Sequence, residues 1–81
     1  MKKRTFGKWI IKKLNDNQKN QKWLIQRARI SDGSIQRWIR GEAPHLFTFL
    51  KVCAVIAKQE RKEIWETAIE SIKYITEGVK Q

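Results

Sequence analysis

Residues 21–41, with the sequence QKWLIQRARISDGSIQRWIRG, constrain the fold of this chain more than any other stretch. Leu24 and Ala28 lie one helical turn apart, before a short break in the apolar pattern. At about 100° per residue, one side of the segment after the break gathers Ile35, Trp38 and Ile39. The spacing predicts two short helices, each with one apolar side, joined by a tight turn.

Residues that favour helix ends stand at both ends of these two segments. Asn20 is placed to cap the first helix, and Ser31 is placed to cap the second, which we expect over residues 32–40. Residues 29–30 then form the turn. Gly41 favours a stop after the second helix.

The segments on either side of this pair predict further helices. A first helix begins after Thr5, which can cap it, and ends before the polar loop of residues 15–20. Its apolar stripe consists of Phe6, Trp9, Ile10 and Leu14. Beyond Pro44, which bars helix continuation, residues 45–57 are apolar at nearly every position and predict a helix buried on most sides.

The last segment, residues 59–78, has the periodicity of an amphipathic helix. Its apolar residues recur at heptad spacing: Trp65, Ala68, Ile72, Ile75 and Val79, with Ile64 and Ile69 widening the stripe. This pattern suits a helix packed on its own domain and also one that pairs two copies of the chain. We therefore predict an all-α fold of five helices in one domain spanning residues 1–81, of which 59–81 is the C-terminal helix.

The formal net charge of +10 and the pI near 10.2 argue for a polyanionic partner, because binding to phosphates relieves the mutual repulsion of the cations. The charge is uneven along the chain. Residues 1–58 carry 14 Lys and Arg against 3 acidic residues, a net of +11, whereas residues 59–81 carry 4 against 5, a net of −1. One end of the chain suits an anion and the other does not.

The polar side of the second short helix predicts how that anion is read. Gly33, Arg37 and Arg40 fall opposite the apolar side, with Ser34 and Gln36 on its flanks. A helix that enters the major groove brings its N-terminal residues against the base edges, and the small Gly33 and Ser34 permit that approach. Arg37 suits guanine O6 and N7, and Gln36 suits adenine N6 and N7.

Asp32 and a group of phosphate-binding candidates complete the predicted interface. Asp32 either accepts a hydrogen bond from a cytosine amino group or supports the N-terminus of its helix. Gln21 opens the first short helix, where its amide and the free N–H groups of the helix can meet a phosphate. The residues expected to bind phosphates are Lys19, Asn20, Gln21, Lys22, Ser31 and Arg40.

The register of these residues resembles the helix-turn-helix of the Cro and phage CI repressors, also called the XRE family. The matching positions are Gln21, Leu24, Ala28, Ile30, Ser31, Ile35, Trp38, Gly41 and Pro44, followed by Leu46, Phe49, Leu50 and Ile56. They belong to a family-like core of residues 5–57. The resemblance implies a compact, lambda-repressor-like five-helix bundle in which the third helix reads the major groove and a homodimer binds an inverted-repeat operator.

By the same resemblance, specific positions acquire roles. The base-contacting positions are Asp32, Gly33, Gln36 and Arg37, and the phosphate-binding glutamine is Gln21. The chain departs from the family pattern at three positions. Lys19 stands where an aliphatic residue is usual, Ile25 where a small residue is usual, and Arg29 where a glycine is usual. We expect Arg29 to adopt a left-handed conformation or to reshape the turn.

These observations predict a cytoplasmic protein that binds double-stranded DNA sequence-specifically, as a transcriptional repressor of phage or mobile-element type. The alternatives are a nonspecific or RNA-binding basic module, and an antitoxin or excisionase-like factor. The aromatic residues sit at core spacing rather than on a base-stacking platform, which disfavours RNA binding. The apolar surface of the last two helices exceeds what one small domain covers, so we expect a homodimer.

Other classes of protein have little support in the sequence. His45 is the sole histidine, and Cys53, the sole cysteine, lies in an apolar run as a small buried residue. We therefore expect no enzyme, no metal, no cofactor and no small-molecule ligand. No apolar stretch approaches the ~20 residues needed to cross a bilayer, and the start, MKKR, lacks the apolar segment of a signal peptide, so we expect no membrane partner.

Overall fold

The computed structural model describes residues 3–79, with side chains up to residue 77, and this part of the chain contains five α-helices and no strand. The helices are α1 (Phe6–Asp16), α2 (Gln21–Ala28), α3 (Ser34–Ile39), α4 (Leu46–Glu60) and α5 (Ile64–Val79). The predicted all-α class and the number of helices are confirmed. None of the five is long and apolar enough to cross a membrane.

Two of the predicted N-caps form. The Thr5 hydroxyl accepts a hydrogen bond from the Lys8 amide at 3.2 Å, and Asn20 Oδ1 accepts one from the Trp23 amide at 2.9 Å. Each cap satisfies an amide that has no partner within its helix. The starts of α1 and α2 are therefore fixed by the residues that the sequence pattern indicated.

Four helices end in the same way, with a left-handed residue after the last turn. These residues have φ between 55° and 114°: Gln18, Arg29, Gly41 and Arg61. The amide of the next residue then donates to the carbonyl five residues earlier, in the pairs Lys19–Leu14, Ile30–Ile25, Glu42–Arg37 and Lys62–Ala57. This is the Schellman pattern, which satisfies the last carbonyl groups of a helix.

Of the two outcomes expected for Arg29, a left-handed conformation or a reshaped turn, the structure has the left-handed one, with φ 55° and ψ 52°. Two helix ends and one helix start differ from the predicted boundaries. The first helix runs to Asp16 rather than ending before residue 15, and α4 runs to Glu60. The prediction that the last helix begins at residue 59 is wrong, because residues 59 and 60 continue α4 and α5 begins only at Ile64.

The hydrophobic core is built around the Phe6 ring. Its centroid lies 5.3 Å from those of Trp38 and Phe49 and 5.6 Å from that of Trp9, so α1, α3 and α4 meet at one aromatic cluster. The remaining buried apolar residues of the core are Ile10, Leu14, Leu24, Ala28, Ile35, Val52 and Ile56. Cys53 is also fully buried, as predicted, and burial raises the pKa of its thiol to about 12.

α1 holds the short α3 by direct contact between the two backbones. A Cβ added to Gly7 would lie 2.5 Å from the Trp38 carbonyl carbon, so only a glycine fits there. Thr5 Oγ1, besides capping α1, donates to the Ile39 carbonyl at 3.2 Å. The position of α3 is thus set by the first residues of α1.

A buried ion cluster joins α1 to the end of α4 and to the first half of α5. The Lys13 side chain, only 7% exposed, places its Nζ 3.1 Å from Glu60 Oε1 and 2.6 Å from Glu70 Oε2. Asn17 donates to Glu60 Oε2 at 2.8 Å. Burial lowers the pKa of Lys13, but its hydrogen bonds to the two carboxylates outweigh that effect and raise it above 10.5. Burial alone would raise the pKa of Glu60 and of Glu70. Hydrogen bonds and the nearby lysines outweigh burial, so both pKa values lie below 4.5.

The apolar stripe predicted for the last helix is split in the structure. α5 buries Thr67 and Ser71, whereas Trp65 is 62% and Ile72 is 52% exposed. Residues 68 and 75 are half-buried at the boundary, and the side chain of residue 79 lies outside the described ones. Two of the four heptad positions whose side chains the structure describes, Trp65 and Ile72, therefore face away from the core of the domain.

Candidate nucleic-acid interface

α3 separates a buried side from an exposed polar side, as its sequence pattern predicted. Ile35 is fully buried and Trp38 is 4% exposed, and both pack in the core. Gln36 and Arg37 are exposed, as is Arg40 immediately after the helix. Because the buried pair fixes the rotation of the helix, these three polar side chains are held toward solvent.

The start of α3 differs from the prediction. Ser31 does not cap a helix; its carbonyl accepts from the Ser34 amide at 3.1 Å, and its hydroxyl lies 2.8 Å from Ser34 Oγ. The helix begins at Ser34, with Gly33 in the N-cap position and no side-chain cap. A tight turn over residues 31–34 therefore replaces the first part of the predicted helix, because the two serines bond each other rather than the helix amides.

The prediction that Ser34 lies on the exposed side of α3 is wrong. Ser34 is 6% exposed, and its hydroxyl is engaged with Ser31 and with Arg37 Nη2, which donates to it at 3.3 Å. The side chain points back toward the turn and orders it. Ser34 therefore supports the turn before α3 and does not lie on the exposed side of the helix.

Asp32 and Gly33 are exposed in this turn, ahead of the helix. α3 has no acidic residue in its first turn, and the Asp32 carboxylate forms no hydrogen bond with the described residues. Asp32 lies one residue before the N-cap Gly33, and both of its predicted roles, support of the helix N-terminus by its charge and a hydrogen bond to cytosine, stay predictions. A Cβ added to Gly33 would meet only Arg37 Nη1, at 3.2 Å, so this position is otherwise open.

Arg37 is a cation on the exposed side of α3 whose side chain is ordered by contacts within the chain. Its guanidinium extends over Gly33, bonds Ser34 Oγ and lies 3.9 Å from Glu42 Oε1. Arg37 and Glu42 are 45% and 63% exposed, so their attraction is weakened by solvent. The side chain is therefore ordered yet free to exchange these partners for another acceptor.

The N-terminus of α2 brings together some of the predicted phosphate-binding residues. Lys22 is exposed, and Gln21 is half-buried beside the end of α1. Asn20 is exposed, but its side-chain oxygen is already used as the helix cap. Lys19 is half-buried, and its Nζ lies 5.3 Å from the centroid of the Trp23 ring, so its charge is held beside α2.

A polar cleft of about 320 Å³ lies beside the exposed side of α3 and contains residues that the sequence pattern did not single out. It lies between the α2–α3 turn and the start of α4, and its charged or titratable lining residues are Arg29, Arg37, Glu42, His45 and Lys51. Lys51 is the only charged residue within 45–57, which was a signal available in the sequence. The cleft extends the positive surface of α3 toward α4.

Comparisons with protein-family models, with curated proteins and with solved structures find no match to this chain. The resemblance to the Cro and CI repressors thus stays a prediction from the residues quoted for it. No group of three or more potential metal ligands occurs within residues 3–79.

Proposed function

We propose that this chain is a sequence-specific double-stranded DNA-binding protein, a transcriptional regulator acting as a repressor. In this proposal α2 and α3 form a helix-turn-helix of the Cro and CI type, and α3 enters the major groove. No catalytic role, metal or cofactor forms part of it. The net charge of +10 supports a polyanionic partner, and a DNA duplex is such a partner.

One observation carries the proposal, namely the exposed side of α3. The small Gly33 lets the start of α3 come close to a partner. Gln36 and Arg37 follow within one turn, and the buried Ile35 and Trp38 fix the orientation of the helix. A groove-reading helix needs small residues where it meets the base edges and donors with two hydrogen-bonding groups just beyond them. The exposed Asp32 carboxylate, which forms no hydrogen bond with the described residues, is then available to a cytosine amino group.

The phosphate contacts follow from the same placement. Gln21 and Lys22 open α2, where the first amides of a helix have no partner within it and attract an anion. Arg40 follows α3, and Ser31 lies exposed in the turn. We propose that these residues set the register on the duplex, while Lys19 and Asn20 act mainly by adding charge and by capping α2.

We also propose that the protein binds DNA as a homodimer. Phe49 near the start of α4 and Ile75 near the end of α5 line one cavity, so the two helices run antiparallel. α4 and α5 pack against each other along their length, and in both helices the exposed apolar residues follow the buried ones in the same rotational sense. We propose that these residues form one side of the pair. We call this the α4–α5 apolar face: Leu46, Phe47, Leu50, Trp65, Ile69 and Ile72.

The size of this face supports a second copy as its occupant. Its six residues are 38–78% exposed. At roughly 200 Å² for such a residue when fully exposed, they offer on the order of 700 Å², close to the ~800 Å² per partner of a standard interface. A two-fold dimer would cover the face with the same face of its partner and give the duplex two copies of α3.

Selection of bound sequences from a random duplex pool tests the proposed function. We expect enrichment of an inverted repeat whose half-sites lie about one helical turn, ~34 Å, apart. A pool of random single-stranded RNA, treated identically, is the control and should show no enrichment. Recovery of duplexes without any consensus would contradict sequence-specific binding, and enrichment from the RNA pool would favour the RNA-binding alternative.

A further inference from the structure

A second basic surface lies between α2 and α4, outside the proposed DNA interface. It is a groove of about 460 Å³ lined by Trp23, Arg27, Val55, Lys58, Gln59 and Arg61. Three of these six residues are exposed cations, and no acidic side chain is among them. We call this surface the α2–α4 groove.

The positive charge of the groove is not neutralised by the acidic residue that follows Gln59. Glu60 precedes Arg61 in the chain, but its side chain is only 12% exposed. Its carboxylate binds Lys13 at 3.1 Å and Lys62 at 3.5 Å on the side of the buried ion cluster. The cations of the groove are therefore available to an external anion.

Trp23 gives the groove an aromatic wall that is already covered by cations. Arg27 Cζ lies 5.7 Å and Lys19 Nζ lies 5.3 Å from the centroid of the Trp23 ring. Cations held over an aromatic face keep their charge while losing mobility. A nucleobase stacked on Trp23 would have to displace them, whereas a carboxylate would bind them in place.

Arg61 closes the end of the groove from a fixed backbone position. It is the left-handed residue that ends α4, with φ 58° and ψ 46°. The following amide, of Lys62, donates to the Ala57 carbonyl at 2.8 Å and holds this conformation. The direction in which the Arg61 side chain leaves the chain is thus set by the end of the helix.

The groove and the proposed DNA interface use different sides of α2. At about 100° per residue, Arg27 lies roughly 140° around the helix from Lys22. Arg27 shares the groove with Val55 of α4, while Lys22 belongs to the end of α2 from which a phosphate would be bound. A duplex against α3 would leave the groove open.

We propose that the α2–α4 groove binds an acidic segment of a protein partner, with carboxylates on Arg27 and Arg61 and an aliphatic side chain against Val55. Arginine pairs with carboxylates through two parallel hydrogen bonds, which gives such a contact its geometry. The apolar part of the lining favours a peptide over a phosphate backbone, which has no group to fill it. The proposal does not depend on the DNA-binding function.

NMR titration of the free protein with a synthetic peptide of Glu and Leu residues tests the groove. We expect the largest shifts at the Trp23 indole and at the amides of Lys58, Gln59 and Arg61. Arg61→Gly removes the charge and suits the left-handed backbone, so the variant stays folded, and it should weaken binding about five-fold. Arg27→Gln should do the same, whereas Lys73→Gln, a matched change on α5, should have no effect.

Two results would overturn the proposal. Peptide shifts confined to α3 and the start of α2, or equal losses in Arg61→Gly and Lys73→Gln, would show only general attraction to a basic protein. A single-stranded oligothymidylate that shifts the groove residues at lower concentration than the peptide would make the groove a nucleic-acid site instead. Either result leaves the selection of duplex sequences by the protein unaffected, so the two proposals fail separately.

Discussion

Gly7 lies directly against the backbone of Ile39, so α1 and α3 cross with no side chain between them. A Cβ at position 7 would come within 2.6 Å of the Ile39 Cα. α3 is only six residues long, too short to be stable as an isolated helix. The proposed reading helix therefore depends on this crossing for both its formation and its position.

Gly7→Ala is expected to destabilise the protein by about 3 kcal/mol, the upper part of the range for overpacking, because a backbone cannot move aside as a side chain can. Urea unfolding followed by circular dichroism measures the loss. Gly33→Ala is the control, since its new Cβ would meet only the mobile end of Arg37 and should change stability by no more than about 0.5 kcal/mol. Equal effects of the two substitutions would contradict the crossing.

Lys13 anchors the buried ion cluster, and its removal should be costly. Lys13→Met removes the buried cation and leaves Glu60 and Glu70 only the 41% exposed Lys62, at 3.5 and 3.4 Å, which is expected to cost about 3 kcal/mol at pH 7. Lys12→Met breaks only the exposed pair with Asp16, at 3.0 Å, and should cost less than about 1 kcal/mol. A comparable loss from both variants in urea unfolding would show that burial of the cluster contributes nothing.

The same cluster predicts how stability depends on pH. The pKa values of Glu60 and Glu70 are lowered on folding, so their contribution is present above pH 4.5 and is lost as the pH falls through the folded-state values. The pKa of Lys13 is raised, so its contribution persists up to pH 10.5 and is lost only at higher pH. Wild-type stability should thus fall below pH 4.5, and the difference between wild type and Lys13→Met should shrink there.

The sequence predicted well those features that depend on the identity of one residue or on periodicity. Thr5 and Asn20 cap their helices, and the spacing of Ile35 and Trp38 gave the buried side of α3. Both kinds of feature arise within a few neighbouring residues. They can therefore be derived without knowledge of the rest of the fold.

Features that depend on distant parts of the chain were missed. The contact of Gly7 with α3 and the ion cluster of Lys13 join residues far apart in sequence. The end of α4 was missed because Arg61, not a glycine, takes the left-handed position. Helical spacing predicts Ser34 on the exposed side, but the bond between Ser34 and Ser31 delays the start of α3 and turns Ser34 inward. Helical spacing alone does not show that bond.

Arg29 occupies a left-handed position, with φ 55°, where glycine is free of steric cost. Arg29→Gly should therefore be more stable than Arg29→Ala by about 1 kcal/mol, since alanine retains the strain and glycine relieves it. Thermal unfolding of the two variants measures the difference, and because both lack the arginine charge, electrostatics cancel. A more stable alanine variant would mean that the turn carries no strain.

The α4–α5 apolar face predicts a dimer that a single charge can disrupt. Ile72→Lys puts an ammonium in the centre of the face and should yield a monomer by sedimentation at concentrations where the wild type is dimeric. Because Ile72 is 52% exposed, the monomer itself should keep its stability. Asn15→Lys, an equal gain of charge at an exposed position of α1, should remain dimeric. A wild-type protein that is monomeric at tens of micromolar, with and without DNA, would contradict the dimer.

Arg37 and Arg40 should separate base reading from phosphate binding. The contacts of Arg37 with Ser34 at 3.3 Å and Glu42 at 3.9 Å are weak enough to be exchanged for guanine O6 and N7. Arg37→Ala is expected to weaken binding to the selected duplex by about 1–3 kcal/mol and to leave nonspecific binding nearly unchanged. Arg40→Ala should weaken both and lower the slope of log K against log salt by ~0.9. Fluorescence anisotropy with selected and scrambled duplexes, over a range of salt, measures both quantities. Equal losses of Arg37→Ala on the two duplexes would show that Arg37 binds phosphate and does not read bases.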